Sequence, residues 1–193
     1  FAAFNVSLAE HFNTSFQLTE GAGVCAHGNI GICGMHNVMN ALAAATVAHR
    51  LGMPLDRIAA GLADVKRISP HRMAVSAIVK PEARFTLIDD SFNANPDSMK
   101  AGLDGLIRWH ANDERQPFRI AVLGAMLELG SDERALHEQV GSYAVQGGVD
   151  ALIAVGSRGD DALDALAEAM AQGGKQVGDV RWAVEWARAS DPA

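Results

Sequence analysis

An acidic, amide-rich run separates an apolar strand from a helix near the middle of the chain. It contains Asp90, Ser91, Asn93 and Asn95, whose side chains donate and accept hydrogen bonds. Asn95 directly before Pro96 is also a typical helix start, with the asparagine as N-cap and the proline as first helical residue. The run therefore suits two interpretations: a binding site for a polar ligand, or a turn that only ends a strand and caps a helix.

Three polar side chains open the alanine-rich helix that the sequence predicts from His36 to Leu51. Asn40 lies four residues after His36 and three after Asn37, so all three side chains can face one ligand from the first helical turns. An asparagine amide can pair with the N6 and N7 atoms of adenine. A cap role would explain His36 or Asn37 equally well, whereas Asn40 is a poor helix former inside a strong helix.

A polar linker containing Pro70 precedes Arg72, and we place a domain boundary between residues 70 and 71. Residues 1–70 are predicted to form short strands followed by two helices. The Arg72 guanidinium can bind phosphate or ribose oxygens, or it can lie on the surface as an ordinary solvated arginine.

Residues 71–193 repeat a pattern of apolar strand, polar loop and amphipathic helix. The predicted strands are 85–89, 119–124 and 151–156, and the predicted helices are 96–110, 133–146 and 160–171. This alternation predicts an α/β domain with a Rossmann-like parallel sheet that helices cover on both faces. Ligands of such sheets bind beyond the carboxyl ends of the strands, so the loops that follow the strands are candidate ligand sites.

The composition argues against several classes of protein. A net charge of −7 does not supply the basic surface that nucleic-acid binding requires, and no apolar run is long enough to span a membrane. We therefore expect a cytoplasmic protein without a nucleic-acid partner. The phosphate-binding motif G-x-x-x-x-G-K-[ST] is missing, since Gly174-Lys175 is followed by Gln176, and no metal-binding motif occurs.

Three segments, in this order, resemble the Mur ligases of peptidoglycan synthesis. They are Gly34-x-His36-Asn37-x-x-Asn40-Ala41-x-Ala43-Ala44, then Arg72, then Asp89-Asp90-Ser91-Phe92-Asn93-Ala94-Asn95-Pro96-Asp97-Ser98-Met99. The last segment is most similar to the MurF type, which joins D-alanyl-D-alanine to UDP-N-acetylmuramoyl-tripeptide, and the run from Ile120 to Gly130 extends this similarity. The resemblance covers nearly the whole chain and weakens after about residue 160.

The resemblance implies the end of a central ATP-binding domain followed by a Rossmann-like ligase domain, here without its last strand. The full enzyme would be a cytoplasmic, ATP-dependent acid–amino-acid ligase of cell-wall biogenesis, a process on which cell shape and cell division depend. It would use Mg²⁺ and ATP to convert the carboxylate of UDP-N-acetylmuramoyl-tripeptide into an acyl phosphate, which the amine of D-alanyl-D-alanine attacks. Because the phosphate-binding loop is missing, we expect the fragment alone to be inactive, with most Mg²⁺ ligands and the catalytic residues elsewhere, and we expect a monomer.

Carried over residue by residue, the resemblance assigns ATP to His36, Asn37, Asn40, Arg72 and Asp90, and assigns the dipeptide to Ser91, Asn93 and Asn95. Asp89 is expected to anchor its loop. Three positions depart from the usual pattern: His71 replaces a glycine, Phe92 replaces a tyrosine, and Ala125 replaces an acidic residue. These departures leave open a different ligase of the superfamily, of the MurE, cyanophycin synthetase or folylpolyglutamate synthetase type, or a non-catalytic binding protein on the same fold.

Overall fold

The computed structural model describes residues 2–8, 14–20, 23–31, 35–65, 71–157, 159–178 and 181–187. The chain divides into two compact units, Phe1–Phe92 and Asn93–Ala193. This division lies after the predicted domain boundary between residues 70 and 71, which stays a prediction. The predicted linker falls largely on residues 66–70, which lie outside the described residues.

The first unit begins with a three-stranded antiparallel sheet, in the order β1-β2-β3, followed by two helices. The elements are β1 (Ala2–Leu8), β2 (Thr14–Glu20), β3 (Gly23–Ile30), α1 (Met35–Arg50) and α2 (Leu55–Ala63). Phe16, Leu18 and Ile30 of the sheet form a buried cluster with Val38 of α1. A side chain at Gly28 would overlap the Phe16 ring, so this glycine admits the aromatic core. The cluster fixes the start of α1, where the predicted amide residues lie.

A β-hairpin completes the first unit. Its strands are β4 (Ala74–Lys80) and β5 (Ala83–Asp89), joined by Pro81 and Glu82 and paired antiparallel along their whole length. The structure differs here from the sequence prediction, which placed residues 85–89 in the parallel sheet. In the described structure β5 pairs with β4 in a sheet of two strands. The two-residue connection lets the chain fold back at once, so β5 finds an antiparallel partner next to it in sequence.

The second unit contains a parallel sheet in the order β6-β7-β8, alternating with helices, which confirms the predicted α/β fold class. The elements are α3 (Pro96–Arg108), β6 (Ile120–Gly124), α4 (Glu133–Gly147), β7 (Ala151–Ser157), α5 (Asp161–Lys175) and β8 (Arg181–Ala187). Leu152 and Ala154 of the central strand β7 are fully buried in one cluster with Val140 of α4 and Met170 of α5. The core of this unit therefore lies between the sheet and the helices that cover it.

Helices α4 and α5 pack at a close backbone contact that two glycines permit. A β-carbon at Gly141 would overlap the carbonyl oxygen of Met170, and a β-carbon at Gly173 would overlap the carbonyl oxygen of Glu138. The Ser142 hydroxyl donates a hydrogen bond to the Gly173 carbonyl at 2.9 Å across the same contact. The absence of side chains at these two positions lets the helices approach closely enough for a hydroxyl to bridge their backbones.

Candidate functional site

Two short segments at the open end of the hairpin form a corner, which we define as residues 71–73 and 89–92. The Phe92 amide donates to the His71 carbonyl at 3.0 Å, and the Met73 amide donates to Asp90 Oδ1 at 3.0 Å. The antiparallel register of β4 and β5 brings these segments side by side. The corner therefore places Asp90 beside the segment that contains Arg72. Asp90 and Arg72 are two of the residues that the sequence assigns to ATP.

The Arg72 guanidinium lies over an aromatic ring. Its Cζ atom is 4.2 Å from the centroid of Phe92, a cation–π distance, and both side chains are exposed. Such a contact restrains an arginine without using its N–H donors, which stay available to an anion. The replacement of tyrosine by Phe92 removes a hydroxyl and keeps the ring that supports the guanidinium.

Asp89 anchors the corner, which confirms the role expected for it. Its Oδ1 atom accepts hydrogen bonds from the Ser91 amide at 3.1 Å and from the Ser91 hydroxyl at 2.7 Å. Its Oδ2 atom lies 2.6 Å from Nδ1 of His71. The Ser91 hydroxyl first and the His71 imidazole second lower the pKa of Asp89 below its ordinary value of 3.8, because both favour the charged carboxylate.

His71 and Met73, on either side of Arg72, have left-handed backbone conformations, with φ of +60° and +47°. Glycine adopts this region without steric cost, whereas most other residues do not. The replacement of the usual glycine by His71 therefore falls where the backbone favours glycine. From the sequence alone His71 is only a departure from the family pattern, and its residue type and its position beside Arg72 are the signals that point to it.

The predicted adenine residues lie in the first turns of α1. Asn37 is 7% exposed and Asn40 is exposed, so the Asn40 amide is the one that solvent reaches. The side chain of His36 lies outside the described residues. An apolar groove further along α1, lined by residues such as Ala43 and Val47, contains none of the predicted ATP residues. We give the groove no part in nucleotide binding, because its lining offers no polar side chain.

Asn95 is the N-cap of α3, as the sequence predicts. Its Oδ1 accepts a hydrogen bond from the Ser98 amide at 2.9 Å, and the Ser98 hydroxyl accepts one from the Asn95 amide at 3.0 Å. This reciprocal pair is a capping box, with Pro96 in the first turn. Asn93 accepts a hydrogen bond from the Ala94 amide at 2.9 Å. The structural interpretation of Asn95 is confirmed, and a ligand role for Asn93 and Asn95 stays a prediction.

The loop after β6 is tied to α4 by a buried histidine. The Met126 amide donates to Nε2 of His137 at 2.8 Å, and Nδ1 of His137 donates to the Glu133 carbonyl at 2.6 Å. Since a backbone amide can only donate, the imidazole proton is on Nδ1. Ala125, where an acidic residue is usual, is half-buried next to this anchored position. A side chain from α4 thus fixes the loop.

The carboxyl end of β7 is also occupied by structural hydrogen bonds. The Ser157 amide donates to Asp164 Oδ1 at 3.0 Å, and Asp160 caps α5 by accepting from two backbone amides. Arg158, in the same predicted ligand loop, lies outside the described residues. Among the described residues there is no group of three or more His, Cys, Asp or Glu side chains that could hold a metal ion. In the part of the chain that the structure describes, no helix is long and apolar enough to cross a membrane.

The family model of the Mur ligase, glutamate ligase domain, matches residues 71–192, which include the corner and the parallel sheet. The chain belongs to the Mur ligase family. The resemblance predicted from the asparagine-rich segments is thereby confirmed.

Two curated relatives of this Mur ligase chain have the name UDP-N-acetylmuramoyl-tripeptide–D-alanyl-D-alanine ligase. The Mycobacterium tuberculosis (strain H37Rv) relative is 44% identical over 129 residues, which are 66% of this chain and 24% of the relative. The Escherichia coli (strain K12) relative is 36% identical over 158 residues, 82% of this chain and 32% of the relative. The chain therefore spans about a quarter to a third of the length of these relatives.

Solved structures of Mur ligases have the same fold. MurF from Acinetobacter baumannii superposes with a TM-score of 0.72 and 27% identity, over 95% of this chain and 35% of that one. MurC from Thermotoga maritima superposes with a TM-score of 0.63 and 17% identity, over 94% of this chain and 36% of that one, a likeness of fold alone.

Proposed function

We propose that this chain is the part of a MurF-type ligase that binds the nucleoside side of ATP and the incoming D-alanyl-D-alanine. The observation that carries the proposal is the geometry of the corner. There the Arg72 guanidinium lies over the Phe92 ring, and Asp90 accepts a hydrogen bond from the Met73 amide. A restrained guanidinium and a fixed carboxylate are the groups that bind phosphate oxygens and ribose hydroxyls. The names of the curated relatives support the choice of UDP-N-acetylmuramoyl-tripeptide and D-alanyl-D-alanine as substrates.

In this proposal each ATP residue contacts a different part of the nucleotide. Arg72 donates to phosphate or ribose oxygens. Asp90 accepts from ribose hydroxyls through its carboxylate, whose Oδ1 atom also accepts the hydrogen bond of the Met73 amide. The exposed amide of Asn40 pairs with adenine, and His36 and Asn37 complete the adenine site.

ATP supplies the phosphoryl group that turns the unreactive carboxylate of the tripeptide into an acyl phosphate. The contribution of this chain is positioning and charge: Arg72 offsets negative charge on the phosphate side, and the corner holds it in place. The phosphates and Mg²⁺ require further residues, because the sequence has no phosphate-binding loop and the described residues form no metal cluster. We therefore propose that the 193-residue chain alone does not catalyse the ligation.

The residues assigned to the dipeptide have hydrogen-bonding groups that complement the amino and carboxylate groups of D-alanyl-D-alanine. The Ser91 hydroxyl donates a hydrogen bond to Asp89, so its oxygen is left to accept one from a ligand, which suits the amino group of D-alanyl-D-alanine. Asn95 uses its amide oxygen to cap α3, and its amide nitrogen still offers donors for a carboxylate. Asn93 is the third residue assigned to the dipeptide.

In the cell we propose a cytoplasmic role in cell-wall biogenesis, which supports cell shape and division.

The test uses the intact ligase, defined as a polypeptide with this chain and a phosphate-binding loop. Given Mg-ATP, UDP-N-acetylmuramoyl-tripeptide and D-alanyl-D-alanine, it should release phosphate and form the pentapeptide product, detected by mass spectrometry. If it uses a single amino acid in place of D-alanyl-D-alanine, the proposed acceptor is wrong. If it releases no phosphate with any amine, the ligase proposal itself fails.

Two arginines of the hairpin region provide a matched pair of variants. Arg72→Ala should raise the KM for ATP at least tenfold, because a charge-assisted hydrogen bond to phosphate contributes about 1.5–3 kcal/mol. Arg84→Ala removes an exposed guanidinium from β5, outside the corner, and should leave the KM within twofold. Equal KM values for the two variants would remove Arg72 from the ATP site.

A further inference from the structure

His71 is attached to the corner at two points that flank the stacked pair of Arg72 and Phe92. Its carbonyl accepts the Phe92 amide at 3.0 Å, and its imidazole lies 2.6 Å from Asp89 at the end of β5. Arg72, the next residue, lies with its Cζ atom 4.2 Å from the ring that this hydrogen bond holds. The position of the guanidinium therefore depends on the backbone direction that His71 sets.

That backbone direction is not the one a histidine prefers. At φ of +60° a residue with a β-carbon is disfavoured by about tenfold or more relative to glycine, although asparagine and histidine tolerate the region better than most. The imidazole–carboxylate contact opposes this cost. The His71 and Asp89 side chains are 59% and 26% exposed, so their contact favours the left-handed conformation by at most about fivefold. This is enough to offset much of the backbone strain but not all of it.

We propose that His71 is a positioning residue for nucleotide binding, which holds Arg72 over Phe92 through its left-handed backbone and its contact with Asp89. The inference rests on the proposed nucleotide role of Arg72. It assigns His71 no contact with ATP and no part in the chemistry. At position 71, glycine would adopt the left-handed backbone but make no side-chain contact with Asp89. Asparagine would provide both the backbone conformation and the contact, and alanine would provide neither.

This ordering defines the experiment, carried out on the intact ligase with Mg-ATP. His71→Ala should raise the KM for ATP about five- to tenfold and leave kcat within twofold, because the lost alignment affects binding. His71→Asn and His71→Gly should stay within about twofold of wild type. If His71→Ala leaves the KM unchanged, His71 is not a positioning residue for nucleotide binding. If all three variants raise the KM equally, the imidazole itself contacts the nucleotide and the positioning role is wrong.

A second measurement does not depend on ATP. The Phe92 ring should shift the NMR signals of the Arg72 side-chain protons upfield in wild type, and His71→Ala should abolish this shift while His71→Asn keeps it. An unchanged shift in His71→Ala overturns the inference. A lost shift with an unchanged KM for ATP would confirm the positioning of Arg72 and refute its proposed nucleotide role.

The chain offers a matched control in the second unit. His110 also has a left-handed backbone, with φ of +51°, and its Nδ1 lies 2.8 Å from Asp113. His110→Ala should therefore disturb its own turn as His71→Ala does, and it should leave the KM for ATP unchanged. A rise in KM for His110→Ala as large as that for His71→Ala would show that the effect is a general loss of stability, and would overturn the inference.

Discussion

The close contact between α4 and α5 leads to an unusual prediction. Gly141→Ala should destabilise the protein, although alanine is the better helix former. The added methyl would overlap the Met170 carbonyl oxygen, which belongs to a helix backbone and cannot rotate away. Overpacking of a core costs about 1–3 kcal/mol, whereas replacing glycine by alanine in a helix gains about 1 kcal/mol. Separation of the helices also weakens the dispersion contacts of Val140 and Met170. We therefore expect a net loss of about 1–2 kcal/mol.

Urea unfolding followed by circular dichroism measures this loss. With a slope of about 1–2 kcal/mol per molar urea, the midpoint should fall by about 1 M for Gly141→Ala and for Gly173→Ala. Gly147→Ala is the control in the same helix, because its methyl would meet only the flexible tip of Ile107, and its midpoint should change little. Gly61→Ala, with nothing within 4 Å of the new methyl, should raise the midpoint. A midpoint that rises for Gly141→Ala as it does for Gly61→Ala would refute the close backbone contact.

Two further predictions concern the loop that joins β5 to α3. Asn95→Ala should lower the free energy of unfolding by about 1 kcal/mol through loss of the N-cap, and Asn95→Asp, which keeps the cap, should restore it in the same urea experiment. The pKa of Asp89 is lowered in the folded state, so the stability it contributes is present above pH 3.8 and is lost as the pH falls through the folded pKa. Below about pH 4 the urea midpoint of wild type should therefore fall more steeply than that of Asp89→Asn, and parallel curves would contradict the Asp89 contacts.

The sequence predicted best those elements whose signals are local. Asn95 and Pro96 specify the start of α3, and the structure contains both the cap and the capping box. The predicted helix from residue 133 to 146 is α4, Glu133–Gly147, because a periodic apolar face and a glycine end are readable within the segment itself. Helix α1, Met35–Arg50, was predicted within one residue at each end from its long alanine-rich run.

Strand pairing and backbone strain were less accessible. Strand β4 has mostly exposed side chains, so no alternation of buried and exposed positions revealed it, and without β4 the antiparallel partner of β5 was missed. Strand β8 was missed because Arg181 and Glu185 interrupt its apolar run, and it is specified by pairing with β7 instead. His71 combines a left-handed backbone with a contact to Asp89, 18 residues away, and no local rule predicts that combination. The predicted convergence of the α1 amides with the corner stays a prediction.

The structural roles found in the corner and in the loop before α3 separate two kinds of residue that the sequence presented together. Asp89 and Asn95 each satisfy backbone amides of their own loop, so the fold alone explains why a carboxylate and an amide stand there. Arg72 is different, because an exposed guanidinium over an exposed ring contributes little to stability and still costs side-chain freedom. We therefore propose that this cation is held there for a negatively charged ligand. The proposed anion site thus rests on Arg72, the residue of this region that contributes least to the stability of the fold.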